Sequence, residues 1–475
     1  MLLAHSLSYL FYRGVPGLVN FIALAVYTRL LTPGEFGAYA LVFAAVALVD
    51  VVGLQWARLV VLRFLPAAQE RQSDLMGNIR YLYSAILLVC TVAALLVWPA
   101  FMDSPWAPFV LIAPAMQVFY SRFELSLAVS SAMLNPVGYG RLVLTKSLLS
   151  LATGSALALA GLGGLAPILG LMLGYLVTAL LFSPEAIRRA LPKKPSREVL
   201  ARHFAYGWPL ALGYAMLWIF MFSDRFMIAW FLGEDSVGVY AAGSDIVLQV
   251  IGLLLLIIHT AAFPILMKAH EQQGREAAIK QLKLNGELLF TVSGAAAVGI
   301  MVLGPALIPR LIDEKFVAEA LIIMPFILLS SVFNNIKCFY FDSVFHIESR
   351  TPEIFKSAVL AALGNVLLNL FMIPAFGVEG AAMSSAMAAF AALLASMFLG
   401  RFFIAASEHL VLLAKPAIVS GVLFGVLYPF RDSGLWAILG ACLLAGAVFV
   451  VLMVVLDISH ARQQAAAKIK GVADE

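Results

Sequence analysis

Apart from the charges that flank their ends, ten charged side chains fall inside long apolar stretches of the sequence. The cations are Arg13, Arg58, Arg122, Arg225 and Lys337, and the acids are Asp50, Glu124, Asp224, Asp245 and Asp342. A charged side chain at mid-membrane costs ~2.5 to 3.5 kcal/mol on insertion scales, so such residues usually face a cavity or a partner. A guanidinium group can donate two parallel hydrogen bonds to a phosphate, and a carboxylate can titrate or bind a cation. These residues therefore predict anion binding and proton or sodium coupling within the membrane.

Their positions leave alternatives open. Arg13, Arg58 and Lys337 could instead reach the inner headgroups, and an ion pair is the main alternative for Arg122. Five carboxylates against five cations could also form a static neutralising network. Asp50 and Arg58 lie more than two helical turns apart, which predicts no direct contact between them. Asp224 and Arg225 point about 100° apart, so each is expected to need a partner on another helix.

Polar and aromatic residues share helical faces with some of these charges. Asn20 lies on the same face of the first stretch as Arg13. Tyr214, Trp218 and Arg225 fall at i, i+4 and i+11 of the seventh, where the two rings could stack on sugars beside a phosphate-binding arginine. Ordinary aromatic packing between helices is the alternative for both rings.

The elements that must position these residues are membrane-spanning helices. Hydrophobic residues make up 63% of the chain, charged residues 12%, and the mean hydropathy is +0.97. A span needs ~20 apolar residues. Fourteen stretches meet this need, at 7–31, 38–65, 79–102, 108–132, 142–161, 165–187, 206–232, 238–267, 286–312, 318–346, 355–375, 378–402, 414–430 and 434–457. The sequence predicts an all-α integral membrane protein.

The loops between the stretches restrict both the orientation and the function. Even-numbered connections and the C-terminal tail, with their immediate flanks, carry 22 Lys and Arg residues against four in the odd ones, which predicts that both termini are cytoplasmic. The outer loops are too short to shape an extramembrane active site, so an enzyme is not expected. There is no phosphate-binding G-x-x-x-x-G-K-[ST] motif, and the three cysteines have no metal-ligand spacing. We therefore expect no metal or other cofactor, and no nucleic-acid partner.

The chain also contains an internal repeat. LLTPGEFGAYA (30–40) aligns at an offset of 201 with FLGEDSVGVYA (231–241), and GLGGLA (161–166) echoes GVEGAA (377–382). Both matches fall at equivalent places in two six-helix halves of the same orientation, which predicts a pseudo-twofold axis along the membrane normal. The predicted organisation is an N-lobe (1–187), a basic cytoplasmic linker (188–205), a C-lobe (206–402), an extra helix pair (403–457) and a cytoplasmic tail (458–475).

Two runs carry a resemblance to a known family. YTRLLTPGEFGAYAL (27–41) and NVLLNLFMIPAFGVEGAAMSSAMA (365–388) resemble the Wzx-type polysaccharide flippases, in the multidrug/oligosaccharidyl-lipid/polysaccharide exporter superfamily. The resemblance implies a flippase that moves an undecaprenyl-diphosphate-linked oligosaccharide to the outer leaflet of a bacterial cytoplasmic membrane, for surface polysaccharides such as O-antigen or exopolysaccharide. Its partners would be that glycan, membrane lipids and, in addition, polysaccharide polymerases or glycosyltransferases. Fourteen spans depart from the commoner count of twelve in that branch.

Two other functions fit the same composition. A cation-coupled multidrug antiporter of the same superfamily would need a net acidic, apolar pocket rather than a cationic one. A non-transporting membrane scaffold for glycan assembly would keep its function when every intramembrane cation is neutralised. The five intramembrane cations and five carboxylates do not distinguish the antiporter from the glycan flippase. The bias of the cations towards the cytoplasmic half and the TPGEFGAYA run favour the flippase.

Overall fold

The computed structural model describes residues 2–68, 72–401 and 412–460, with side chains from residue 15 to residue 459 outside the same gaps. Every regular element in these ranges is helical. The α-helices are α1 (Leu2–Leu30), α2 (Pro33–Gly53), α3 (Gln55–Phe64), α4 (Gln72–Val97), α5 (Ala107–Ala132), α6 (Pro136–Leu159), α7 (Leu165–Phe182), α8 (Glu185–Arg189), α9 (Arg197–Leu232), α10 (Glu234–Leu311), α11 (Val317–Ile336), α12 (Asp342–Ile347), α13 (Thr351–Leu399), α14 (Ala414–Leu427) and α15 (Leu435–Val455). The prediction of an all-α membrane protein is confirmed.

Nine helices in the described ranges are long and apolar enough to cross a membrane. Two of them contain a break that separates a pair of predicted spans. In α10 the break lies at Gly274 (φ 82°, ψ −169°), and in α13 it lies at Gly377 (φ 61°, ψ −141°). Glycine occupies both positions because a side chain is strained at positive φ. The protein is therefore a multi-pass membrane protein.

The second predicted span is interrupted as well. Helix α2 begins with a capping box, in which the Thr32 side chain accepts a hydrogen bond from the Glu35 amide and the Glu35 carboxylate accepts one from the Thr32 amide. It ends at Gly53, and α3 begins two residues later, after Leu54 (φ −122°, ψ −18°). The regular α-helix is therefore interrupted between Asp50 and Arg58.

The chain divides into two compact units, Met1–Ala241 and Ala242–Glu475. In the first, α3, α4 and α5 share an apolar core that includes Val60, Met76, Ile79 and Leu125, against which α9 packs through Ala211. In the second, α14 and α15 pack on the later part of α10 through a separate core, made of Val302, Leu303, Val419, Leu423, Leu427, Ile438, Ala441, Ala445 and Ile458. The lobes and linker inferred from the repeat remain a prediction.

Small residues allow α6 and α7 to approach closely in the first unit. A Cβ added at Gly170 would lie 2.6 Å from the Cα of Gly154 and 2.8 Å from the carbonyl oxygen of Ser150. Tyr27 of α1 also packs on α6, and its hydroxyl donates to that same Ser150 carbonyl at 3.0 Å. Such close backbone contacts are how helices gain packing energy where lipid supplies no hydrophobic driving force.

Candidate intramembrane charge sites

Asp50 and Arg58 form a buried ion pair. Arg58 Nη1 lies 2.5 Å from Asp50 Oδ2, and the two residues are 6% and 0% exposed. The prediction that they are too far apart for contact was wrong. It assumed one straight helix, whereas the interruption at Leu54 and the length of the arginine side chain, which points back towards the helix N-terminus, bring the groups together.

Neutral polar side chains complete the coordination of this pair. The other Asp50 oxygen accepts a hydrogen bond from the Ser121 hydroxyl at 2.8 Å, and Ser121 accepts one from Gln117 at 2.8 Å. Arg58 Nε donates to Gln55 Oε1 at 2.9 Å. Because both charges are compensated and buried, this pair has the character of a structural network rather than an open binding site.

Glu124 and Lys146 lie next to this network without joining it. The charges of Arg58, Asp50 and Lys146 all act on Glu124, yet its carboxylate makes neither an ion pair nor a hydrogen bond among the described residues. Lys146 Nζ lies 5.6 Å from the centre of the Tyr175 ring. Lys146, which the charge count includes among the cytoplasmic flanks of its stretch, lies half-buried about three turns inside α6, which begins at Pro136.

Arg122 lies in α5, and its guanidinium also has no ion pair or hydrogen bond within the described ranges. The charge that acts on it is that of Arg80, which is also positive. Arg80 Nη1 donates to the carbonyl of Ile187 at 3.0 Å and to that of Ala190. These acceptors are neutral, so the two arginines form a locally positive region in the first unit.

Some of the polar and aromatic residues of α9 are buried in the protein, and others are exposed. Asp224 accepts a hydrogen bond from the Tyr240 hydroxyl of α10 at 2.6 Å, and the Arg225 guanidinium lies 5.2 Å from the Phe222 ring centre. Trp218 is 7% exposed, packs on α2 and stacks with Phe222 at 5.6 Å, whereas Tyr214 is 46% exposed. The contacts of Trp218 are those of packing between helices.

The second unit contains another buried pair. Lys337 Nζ lies 2.6 Å from Asp342 Oδ2, and the Ser396 hydroxyl donates to Asp342 Oδ1 at 2.9 Å. Lys337–Phe341 is a π-helical turn between α11 and α12. Residues five apart point about 140° apart in an α-helix, and the wider turn brings them to the same side. Lys337 is 3% exposed, so it does not reach the headgroups.

Three further candidates are less informative. Asn20 is exposed on α1, and Asp245 is half-buried on α10. The Arg13 side chain lies outside the described residues. No spacing signal in the sequence distinguished these residues from the paired ones.

Comparison with known proteins places this geometry in a family. The profile of the polysaccharide biosynthesis protein family matches residues 2–270. The chain belongs to that family. No curated protein matches the sequence. The lipid II flippase MurJ, in an inward closed conformation, has a similar structure, with a TM-score of 0.74 and 16% identity over 96% of this chain and 99% of that one.

Multidrug transporters have the same fold. An inward-facing multidrug resistance MATE family transporter of the MOP superfamily superimposes with a TM-score of 0.58 and 16% identity, over 83% of this chain and 96% of that one. A MOP superfamily transporter from Pyrococcus furiosus, described as having a binding pocket of reversed polarity, superimposes with a TM-score of 0.57 and 16% identity. The match covers 84% of this chain and 94% of that one. The likenesses establish the fold of these flippases and transporters.

Proposed function

We propose that this protein is a flippase that carries a lipid-diphosphate-linked oligosaccharide from the cytoplasmic to the outer leaflet, by alternating access, for surface polysaccharide synthesis. Membership of a polysaccharide biosynthesis family supports the glycan. The proposal includes insertion in a bacterial cytoplasmic membrane with both termini inside, two six-helix lobes and an extra helix pair. Association with a polymerase or glycosyltransferase belongs to the same proposal.

The observation that carries the proposal is the uncompensated charge of Arg122. Arg58 and Lys337 are neutralised by carboxylates at 2.5 and 2.6 Å, whereas Arg122 is next to the like charge of Arg80. Two cations near each other in a low-dielectric region repel, and an anion between them removes the repulsion. A diphosphate supplies that anion and matches the geometry of the guanidinium fork.

The same observation disfavours the multidrug antiporter. A small amphipathic cation would be repelled from the region of Arg80 and Arg122, and the acids in the first unit that could attract it include Asp50, which Arg58 already neutralises. Glu124, an acid of α5 without such a partner among the described residues, is acted on by the positive charges of Arg58 and Lys146 as well as by the negative charge of Asp50. A cationic drug therefore gains less here than an anionic lipid headgroup does.

Transport of the glycan can be measured in liposomes. Purified protein is reconstituted with a fluorescent undecaprenyl-diphosphate oligosaccharide, and the movement between leaflets is followed by quenching of the outer label. Arg122→Ala should slow movement by about tenfold or more, since a hydrogen bond to a charged group contributes ~1.5 to 3 kcal/mol. Arg122→Lys should retain part of the rate because it keeps the charge. Arg431→Ala, an exposed residue paired with Asp432 at 3.0 Å, is the matched control.

Each result has a defined meaning for the three functions. Movement by the parent that Arg122→Ala leaves unchanged would remove Arg122 from the substrate site. A parent protein that moves no glycan under a proton or a sodium gradient, but exchanges small cations, would be an antiporter. A parent that moves neither would support the membrane scaffold.

We further propose that transport is coupled to protons or sodium at Glu124. Asp50 and Asp342 are held by ion pairs, and Asp224 accepts a hydrogen bond from Tyr240. The Glu124 carboxylate has no such partner among the described residues, so it can exchange a cation without breaking a pair. Glu124→Gln should leave the protein folded but remove the dependence of transport on the ion gradient. Asp50→Asn should instead reduce folding, and the reverse pattern would refute the assignment.

A further inference from the structure

A cavity in the first unit takes no part in the function proposed above. It has a volume of about 440 Å³ and lies where the ends of α4, α5, α6, α7 and α8 come together. The second, fourth and sixth connections join these ends, and their positive charge places them on the cytoplasmic side by the charge rule. Neither Arg80 nor Arg122 lines the cavity. It is large enough for a small ligand or for the head of a lipid.

The lining of the cavity combines an apolar wall with a charged mouth. Val129, Met133 and Phe182 supply apolar surface. Glu185 and Arg189 also line the cavity and form an ion pair with each other, and their side chains are 59% and 80% exposed. Because they are so exposed, these two charges lie at the mouth. The arrangement fits a molecule with a charged head and an apolar body.

One polar group of the lining is buried without a partner. Ser130 is 4% exposed, and its hydroxyl makes no hydrogen bond to any other residue that the structure describes. Its backbone carbonyl accepts a hydrogen bond from the Asn135 amide at 2.9 Å. Buried hydroxyl groups are nearly always hydrogen-bonded, so a ligand in the cavity is expected to complete the bonding of this one.

The start of α4 gives the cavity a positive potential. Gln72 and Ser73 are the first residues of this 26-residue helix and line the cavity, so it borders amides that have no partner within the helix. At the end of α5, the carbonyls of Val129 and Ser130 are already bonded to amides of the following turn. The open positive end of α4, together with Arg189, favours an anion over a cation.

The wall that α8 contributes is held in place by α4. Arg80 Nη1 donates to the carbonyl of Ile187 at 3.0 Å and to that of Ala190, and Ala190 lines the cavity. The amide of Lys193 donates to the carbonyl of Gly77 at 3.0 Å. The cavity is therefore formed before a ligand binds, which reduces the cost of ordering it.

We propose that this cavity binds the phosphate group of a phospholipid of the cytoplasmic leaflet. Arg189 and the Ser130 hydroxyl donate to the phosphate, and the apolar wall receives the glycerol. The source is lipid because residues next to the wall present apolar surface outwards: Leu134 is 80% exposed and Leu181 is 64% exposed. This lipid is distinct from the transported glycan lipid, and its binding does not depend on the flippase proposal.

Binding is measured on the full chain purified in detergent. Phosphatidylglycerol is added in increasing amounts, and the lipid bound per chain is counted by native mass spectrometry. Arg189→Gln should weaken binding about tenfold and Ser130→Ala about fivefold, because each removes a donor to the phosphate. Arg188→Gln, which removes an exposed cation outside the lining, is the matched control and should bind like the parent. Equal binding by the Arg188 and Arg189 variants would overturn the proposal.

The ion pair at the mouth gives a change of opposite sign. Glu185→Gln should strengthen binding a few-fold, because it removes a negative charge next to the phosphate and leaves Arg189 free to donate. If the pair served only to hold α8 in shape, the Glu185 and Arg189 variants would weaken binding alike, which would refute the phosphate contact.

Filling the cavity tests the place where the lipid binds. Met133 lines the cavity and is 46% exposed, so Met133→Trp adds volume there from a partly exposed position. It should remove the bound lipid. Val137→Trp, at a residue that is 43% exposed and outside the lining, should keep it. Retention of the lipid by Met133→Trp would show that the lipid binds elsewhere and overturn the proposal.

Three probes separate the phosphate from the rest of the lipid. Phosphatidylglycerol should raise the thermal unfolding temperature of the parent more than that of Met133→Trp, whereas a diacylglycerol with the same chains should not distinguish the two. Equal protection by diacylglycerol would overturn the phosphate contact, and equal protection by inorganic phosphate would overturn the lipid source. None of these measurements requires lipid movement, so a parent that moves no glycan would end the flippase proposal and leave this one to be decided by the binding data.

Discussion

Breaking the pair of Asp50 and Arg58 one partner at a time should be more damaging than removing both. Among the described residues, Arg58→Met leaves a fully buried carboxylate with the Ser121 hydroxyl at 2.8 Å as its side-chain partner, and Asp50→Asn leaves a buried guanidinium with Gln55 at 2.9 Å. An uncompensated buried charge costs about 3 to 5 kcal/mol. The double variant has no unpaired charge and should lie closer to the parent than either single variant.

The free energy of unfolding in mixed detergent micelles, measured for the parent and the three variants, gives the double-mutant cycle. Glu185 and Arg189 supply the matched control, since they form an ion pair on the surface, with side chains 59% and 80% exposed. Their cycle should show an interaction of about 0 to 1 kcal/mol. If the Asp50 and Arg58 effects simply add, or if both single variants lie within about 0.5 kcal/mol of the parent, the reasoning about burial is refuted.

Other changes test the second unit and the helix packing. Lys337→Met should cost about 3 kcal/mol or more, because Asp342 loses its counter-charge, and adding Asp342→Asn should recover most of it in the same unfolding titration. Gly170→Ala should destabilise the protein by about 1 to 3 kcal/mol, since the added methyl group would lie 2.6 Å from the α6 backbone. Gly213→Ala, with open space around it, should not destabilise the protein, and the thermal unfolding temperatures of the two variants test the difference. Glu287→Gln should speed amide hydrogen exchange in α14, whose first turn it holds through an ion pair at 2.6 Å.

Each of these expectations has a contrary result. Lys337→Met with the stability of the parent would mean that Asp342 is compensated elsewhere. Equal stability of Gly170→Ala and Gly213→Ala would mean that α6 and α7 can separate without cost. Unchanged exchange in α14 after Glu287→Gln would show that the apolar core alone holds the helix pair.

The helical fold could be predicted because it depends on length and composition. A stretch of about 20 apolar residues has few alternatives to a spanning helix, since the bilayer offers the backbone no hydrogen-bond partners. The boundaries of the stretches are less certain: Lys146 counted among the charges that flank a stretch, because it lies near the start of 142–161. Helix α6 begins at Pro136, before the predicted start of the stretch, so Lys146 lies further inside the helix than the sequence indicated. Helix ends are the least certain part of a prediction from hydrophobic pattern.

The pairing of the charges could not be predicted, because it depends on departures from regular helix geometry. The contact of Asp50 with Arg58 requires the interruption at Leu54, and the contact of Lys337 with Asp342 requires one π-helical turn. Each departure involves very few residues. A count of helical turns assumes a straight helix, so it placed Asp50 and Arg58 out of reach.

These pairings change the meaning of the charge balance. Five cations against five carboxylates indicated no preference between an anionic and a cationic substrate, because every charge was counted as available. The ion pairs remove Arg58 and Lys337, together with their acids, from that count. On α5 the groups that remain are Arg122 and Glu124, which point about 200° apart on one helix.

One helix thus presents a cation in one direction and a carboxylate in nearly the opposite one. The cation lies near Arg80, while the carboxylate lies near Lys146 and the paired charges of the first unit. A movement of α5 changes the surroundings of both groups at once, which is the physical requirement for coupling a substrate to an ion. If α5 acts in this way, Arg122→Ala should reduce transport at every gradient, whereas Glu124→Gln should remove only the response to the gradient.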